Sequence, residues 1–310
     1  MTVTIAPHPA LRTRVTELFG IDYPVVQTGM GYVSDARLTA ATSAAGGLGI
    51  IGSGLMSYEE LAEAIETVKS LTDKPFGVNV RANQPDIEKR IDLLISSGVK
   101  VASFALAPRQ ELIGRCKDGG LVVVPSIGAG GFFDGRGLVA ALAYGAAGIA
   151  MGTRFLLTRE SPVAQAVKEM YLTKKVTDTV VTSEIDGVPQ RLLNAGPIGR
   201  LQATSAPRRL ARAVRSAMLF HRISGASWPD LIREGIEMKK EHDLRWTQVI
   251  MAANAPVLYR SVLLDGRTDI GVSASGQVVG LIDDIPSCQE LIERIVREAN
   301  EVLGRLGGRR

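Results

Sequence analysis

The chain has 310 residues, 45% of them hydrophobic and 22% charged, which allows a sizeable core and excludes an intrinsically disordered chain. A net charge of +4 with a pI near 9.1 is too weakly basic to argue for nucleic acid without clustering. Two distant cysteines, Cys116 and Cys288, form no C-x-x-C pair, which argues against a disulfide framework or a zinc site and fits a reducing compartment.

From residue 20 to about 160, short apolar runs alternate with helical patterns. Strand-like runs begin at Pro24 (PVVQTGM), Gly47 (GLGIIGSG), Pro75 (PFGVNV), Val99 (VKVASFAL), Leu121 (LVVVPSIG) and Gly148 (GIAMGTRFLL). Residues 34–45 read as a helix closed by Gly46, a glycine suited to the left-handed position past a helix end. Ser57-Tyr58-Glu59-Glu60 is a capping box that opens a helix to residue 70. Residues 85–97 set Ile87, Ile91, Leu94 and Ile95 in a helical stripe, and 109–118 and 136–144 complete the series. Strict alternation of this kind predicts a parallel sheet covered by helices, an α/β fold of TIM (β/α)8-barrel type, with a doubly wound sheet as the rival. Gly47-Leu48-Gly49-Ile50-Ile51-Gly52 matches G-x-G-x-x-G, but its glycines lie inside a strand and the helix starts only at Ser57, so it is no dinucleotide fingerprint.

Beyond residue 160 the pattern changes. Residues 177–185 are β-rich and end at Asp186-Gly187, a hairpin-type turn. Residues 195–258 look mostly helical, with arginines at 208, 209, 212, 215 and 222. These are solvated helix faces or a landing surface for an anionic handle such as the phosphates of coenzyme A. A Gly271-to-Gly280 segment and an amphipathic helix from 287 to 303, stopped by Gly304, close the chain. The expected organisation is a barrel core over 1–160, a mostly helical insertion or lid over 161–258, and a segment over 259–310 that returns to the barrel. No apolar run approaches the ~18–20 residues of a bilayer span, and residues 1–11 lack the order of a signal peptide, so a cytoplasmic protein is expected.

Strand counting exposes a shortfall, because six strands are read where a closed barrel of this class needs eight. The discrepancy sits at one place. The run LVVVPSIG ends as a strand ends, yet Ala129-Gly130-Gly131-Phe132, which also reads as a strand end, follows at once. Two strand–helix units have been lost near Gly128–Gly130, or the sequence skips them, or the barrel is a shortened one.

Two glycine-rich turns carry the chemistry. Gly130-Gly131-Phe132-Phe133-Asp134-Gly135-Arg136-Gly137 is followed, one helix later, by Met151-Gly152-Thr153-Arg154. Glycine lets the backbone approach an anion, and free N–H groups at a helix start point at it. Neighbouring loops after late barrel strands commonly form a phosphate cup. Gln27, Met30 and Asn79 stand at or near the ends of the first and third strands, where an amide can bond a heterocycle's edge and a methionine can lie on its face. Gln277, beside Gly276 in a Ser/Gly segment, is a further candidate. His8, His221 and His242 follow no barrel strand and form neither a metal cluster nor a triad.

At these residues the chain resembles the nitronate monooxygenase (2-nitropropane dioxygenase) family of FMN-dependent TIM barrels. The matching pieces are Pro24-Val25-Val26-Gln27-Thr28-Gly29-Met30, Ala45-Gly46-Gly47-Leu48-Gly49, Lys74-Pro75-Phe76-Gly77-Val78-Asn79, the Gly130 turn, Met151-Gly152-Thr153-Arg154-Phe155 and Ser275-Gly276-Gln277. The resemblance implies FMN, its phosphate on Gly130, Gly131, Gly152 and Thr153, beside Met151, and its ring near Gly29, Met30, Gly31 and Asn79. It is greatest to the branch acting in steroid-ring breakdown, which implies dehydrogenation of a bicyclic acyl-CoA from the sterol C and D rings. Oxidation of alkyl nitronates with O₂ is one alternative, and a non-catalytic phosphate-ligand-binding remnant is another. The implied partner is a small molecule, with a CoA thioester as the candidate; neither nucleic acid nor membrane is expected, and a homo-oligomer is left open. The family's Glu-Gly-Gly-His-like segment after its sixth strand, which holds its catalytic histidine, has no counterpart here, so the catalytic base is unassigned.

Overall fold

The six apolar runs emerge as six parallel strands: β1 (Val25–Gln27), β2 (Gly49–Gly52), β3 (Phe76–Arg81), β4 (Val101–Ala105), β5 (Val122–Pro125) and β6 (Ile149–Met151). In this computed structural model the described residues are 6–125, 130–183, 189–194, 256, 258–268 and 272–308. Two compact units divide the chain, Met1–Pro162 with Leu281–Arg310, and Val163–Gly280.

In the first unit β2, β3, β4 and β5 pair in sequence order, β6 pairs with β1, and an isolated parallel bridge from Val26 to Leu48 joins β1 to β2. The order is therefore β6-β1-β2-β3-β4-β5. A doubly wound sheet reverses its winding at a switch point; this one never does, which eliminates the rival. It is a barrel arc of TIM type. Among the described residues β5 pairs with β4 alone and β6 with β1 alone, so the arc is open where the strand count fell short.

Helices alternate with the strands: α1 (Arg14–Phe19), α2 (Ala36–Ala44), α3 (Tyr58–Leu71), α4 (Ile87–Ser96), α5 (Gln110–Asp118), α6 (Gly135–Ala143) and α7 (Thr153–Leu156), of which α2 to α6 are the five expected from sequence. Their inner faces and one side of the strands form a core containing Ile51, Leu61, Ile65, Val78, Ile91 and Phe104. The alternate residues Leu48, Ile50 and Val101 pack on the other side with Val26, Val122 and Val124, as period-two alternation requires. The glycines of the G-x-G-x-x-G match serve this packing. A Cβ on Gly49 would lie 2.1 Å from the Thr39 carbonyl oxygen, and one on Gly52 would lie 2.5 Å from that of Met30.

Three sequence expectations need correction. The run from Gly148 does not continue as a strand: β6 stops at Met151, and α7 begins after Gly152, which leaves extended geometry at φ −105°, ψ −74°. The last helix, the first unit's C-terminal helix Cys288–Gly307, does not stop at Gly304 but runs on to a cap at Gly308. One interior glycine costs only about 1 kcal/mol, and Arg305 and Leu306 continue the helix. Helix α1 was not read at all. Its cap pairs Thr13 with Thr16, without the Glu or Gln that marks a capping box in sequence.

In the second unit α8 (Gln165–Leu172) precedes β7 (Thr179–Thr182), which pairs antiparallel with β8 (Gln190–Leu193), as the β-rich run predicted. The Tyr171 hydroxyl, fully buried, donates to the Ala274 carbonyl at 2.7 Å. The Asp186-Gly187 turn and residues 195–255, which include the arginine run, His221 and His242, lie outside the described residues. The C-terminal helix of the first unit is α9 (Cys288–Gly307), opened by the Ser287–Glu290 capping box and packed on α6. The described residues contain no helix long and apolar enough to cross a membrane.

Candidate functional site

Because all six strands run parallel, their C-terminal ends share one rim, and those residues singled out from sequence that close or follow β1, β3 and β6 gather there. Gln27 closes β1 opposite Met151 of β6. Thr28 turns outward, its backbone N–H and its hydroxyl both donating to the Met151 carbonyl, at 3.2 and 3.3 Å. Gly29, Met30 and Gly31 follow. A Cβ on Gly29 would stand 2.4 Å from Cβ of Asn79, so only glycine lets the β1 loop approach the end of β3. A Cβ on Gly152 would lie 3.3 Å from the Met30 sulfur, which places the β6 turn against the same loop. Gly29, Met30, Gly31, Asn79, Met151, Gly152 and Thr153 thus form one cluster.

Two hubs hold this cluster. Gln27 is fully buried: its side-chain amide donates to the Ser34 hydroxyl at 2.7 Å and to the Ile50 carbonyl, while its oxygen accepts from Ile50 N–H at 3.2 Å. These bonds tie the Gln27 side chain to the backbone of β2 and to Ser34, so Gln27 acts as a brace within the fold. Ser34 accepts from the Met30 N–H at 2.9 Å and donates to the Thr28 carbonyl at 2.8 Å, fixing the loop between them. Asn79, half-buried, donates from Nδ2 to Ser103 Oγ at 3.2 Å, its register partner on β4. Ser103 was missed from sequence, although a polar residue near the end of an apolar strand was the available signal. Tyr32 was missed too. It holds φ at +62°, a left-handed conformation that a bulky residue adopts only at a cost, in the loop after β1.

Gly130 and Gly131 precede α6, exposed, with φ of +125° and +81°, and a Cβ on either would meet nothing within 4 Å. Conformation, not crowding, requires glycine at both. Asp134 caps α6, accepting from the Gly137 N–H at 2.9 Å, and the Gly135 N–H donates to Glu298 of α9 at 2.8 Å. Gln277 is exposed at the start of a 3-10 turn in the second unit. His8, the described histidine, precedes α1 and accepts from the Ala10 N–H, away from any strand end.

An open cluster of backbone turns at strand C-termini, with one amide and one thioether beside it, is suited to a flat heterocycle carrying an anion. The family profile of nitronate monooxygenase matches residues 12–92 and 120–298. The chain belongs to the nitronate monooxygenase family. A (3aS,4S,5R,7aS)-5-hydroxy-7a-methyl-1-oxo-octahydro-1H-indene-4-carboxyl-CoA dehydrogenase from Mycobacterium tuberculosis is 48% identical, over 93% of this chain and 96% of the relative. A protein of the same description from Rhodococcus jostii is 47% identical, over 97% and 99%. FabK from Thermotoga maritima superposes with a TM-score of 0.74 at 28% identity, over 96% of this chain and 99% of its own.

The first alignment spans 341 positions, although it takes in 93% of a 310-residue chain. About 50 positions of that alignment therefore face no residue here, roughly the size of two strand–helix units. The Rhodococcus alignment, 349 positions with 97% of the chain, gives nearly the same figure. That shortage agrees with an arc of six strands in which, among the described residues, β5 and β6 stand at the edges.

Proposed function

We propose that this chain is an FMN-dependent oxidoreductase that dehydrogenates a bicyclic acyl-CoA derived from the C and D rings of a steroid. The observation that carries the reading is the 48% identity across 96% of a relative whose described substrate is such an indene-carboxyl-CoA. Two free, buried thiols support a place in the reducing cytoplasm.

The fit to FMN rests on the chain's own turns. At Gly130 and Gly131 positive φ and open space leave the backbone N–H groups free of shielding side chains. At Gly152 a Cβ would fill the gap beside Met30 and Thr28. These positions, with Thr153, would take the phosphate, whose charge suits N–H groups at helix starts. Gly29, Met30, Gly31 and Asn79 would line the ring, Asn79 by hydrogen bonding and Met30 by its polarisable sulfur. When bound, the flavin supplies the electron chemistry; the protein supplies position and electrostatics. Gln27 and Ser34 keep the β1 loop rigid, so little ordering is needed when the ring arrives.

The test is spectral and catalytic. Purified protein should retain a flavin absorption band through gel filtration after incubation with FMN. It should then turn over the indene-carboxyl-CoA in preference to propionate 3-nitronate. Protein that stays colourless after FMN addition would overturn the reading.

A further inference from the structure

Arg154 follows Gly152 and Thr153 directly, yet its side chain turns inward and is only 2% exposed. Nη2 donates to Oδ1 of Asp284 at 2.9 Å and Nη1 to the Asp284 carbonyl at 3.4 Å. The other carboxylate oxygen of Asp284 accepts from Arg294 of α9 at 2.5 Å. The Nε of Arg154 has no partner among the described residues. A guanidinium so enclosed cannot reach a ligand at the rim, and burying it with an orphaned N–H is costly for stability alone.

Its connections explain its place. The turn at Gly152 has no side-chain cap, and α7 is a single turn of four residues that cannot hold its own geometry. Beyond α7 the chain is sewn to the stretch before α9: Arg159 N–H donates to the Pro286 carbonyl at 2.9 Å, and Cys288 N–H to the Glu160 carboxylate at 3.0 Å. Those contacts fix the far end of α7. Arg154 ties the near end, where the glycine turn lies, to Asp284.

We propose that Arg154 is a positioning residue: through Asp284, itself braced by Arg294, it holds the Gly152–Thr153 backbone in the geometry that accepts the cofactor's phosphate. The inference rests on the flavin reading above. Its signature is selectivity for the phosphate, which a residue serving stability alone would not change.

The experiment measures FMN and riboflavin affinities, by quenching of flavin fluorescence, on the full chain. Riboflavin lacks only the phosphate. Wild type should prefer FMN. In Arg154→Met the FMN affinity should fall about tenfold or more, equivalent to about 1.4 kcal/mol, while riboflavin affinity holds. Arg154→Lys, able to keep one of two contacts, should fall between. Arg294→Gln, which leaves the Arg154–Asp284 pair in place, should show a smaller loss. Arg90→Met is the control. Arg90, equally buried, binds Asp86 and the Met56 carbonyl at 2.8 Å each, so its loss should lower the melting temperature and spare the FMN-to-riboflavin ratio. An unchanged ratio in Arg154→Met overturns the inference. If that variant does not fold, an unchanged ratio in both Arg154→Lys and Arg294→Gln overturns it equally. A wild type that binds neither flavin overturns the functional reading and this inference with it.

Discussion

Glycines in this chain do different jobs that look alike in sequence. Gly49 touches backbone, since its absent Cβ would lie 2.1 Å from the Thr39 carbonyl oxygen, which cannot move without separating α2 from β2. Gly98 has φ of +70° and open space around it. Gly98→Ala should therefore cost about 1–2 kcal/mol, the left-handed penalty. Gly49→Ala should exceed it, reaching or passing the upper end of the roughly 1–3 kcal/mol typical of overpacking. Urea unfolding of both variants checks the order. Buried titratable groups make a second prediction at this scale. Burial pushes the Cys116 thiol up to about 11 and the Cys288 thiol up to about 12, and burial raises Tyr171 and Tyr23 as well. Each folded-state pKa is raised, so each contribution is fully present below the unfolded value, about 8.5 for a thiol, and is lost as pH rises toward the folded value. Stability should fall steadily between about pH 8.5 and pH 11, and both thiols should resist a thiol reagent at pH 8 until the protein unfolds. A urea midpoint that stays constant across that range would contradict this.

Elements were the most legible level, because their signals are local. The capping box at Ser57 names its helix start outright, and the structure adds a second at Ser287, each with hydroxyl and glutamate in reciprocal bonds. Ser287→Ala should remove about 1 kcal/mol of stability by leaving the start of α9 uncapped, read as a lowered melting temperature. From Gly148 to Leu157 only Thr153 and Arg154 are polar, and two adjacent polar positions in so short a run fix neither a period of two nor one of 3.6, so strand and helix α7 could not be separated. The site was partly legible for the same reason as the elements. Glycine turns at strand ends are visible in sequence, whereas Ser103 and Tyr32 take their roles from a register partner and a backbone angle.

For the whole molecule the decisive fact is an arc with two edges unpaired among the described residues, and about 50 positions fewer than the two relatives, two strand–helix units' worth. Inserting the corresponding stretch of the Mycobacterium relative between Pro125 and Gly130 should raise the melting temperature. It should also steepen the urea dependence, because a closed barrel exposes more surface on unfolding. An unchanged slope would mean that the added residues do not fold against β5 and β6. Strand count, the Ser57 capping box, the glycine turns and the shortfall at Gly128–Gly130 could be read along the chain, since each rests on a run of adjacent residues. Tertiary structure alone settled that Gln27 braces β1 to β2, that Asn79 meets Gly29, and that Arg154 faces Asp284, 130 residues away. Those pairings are set by which surfaces the folded backbone brings within hydrogen-bonding or van der Waals reach, and no local pattern encodes that distance.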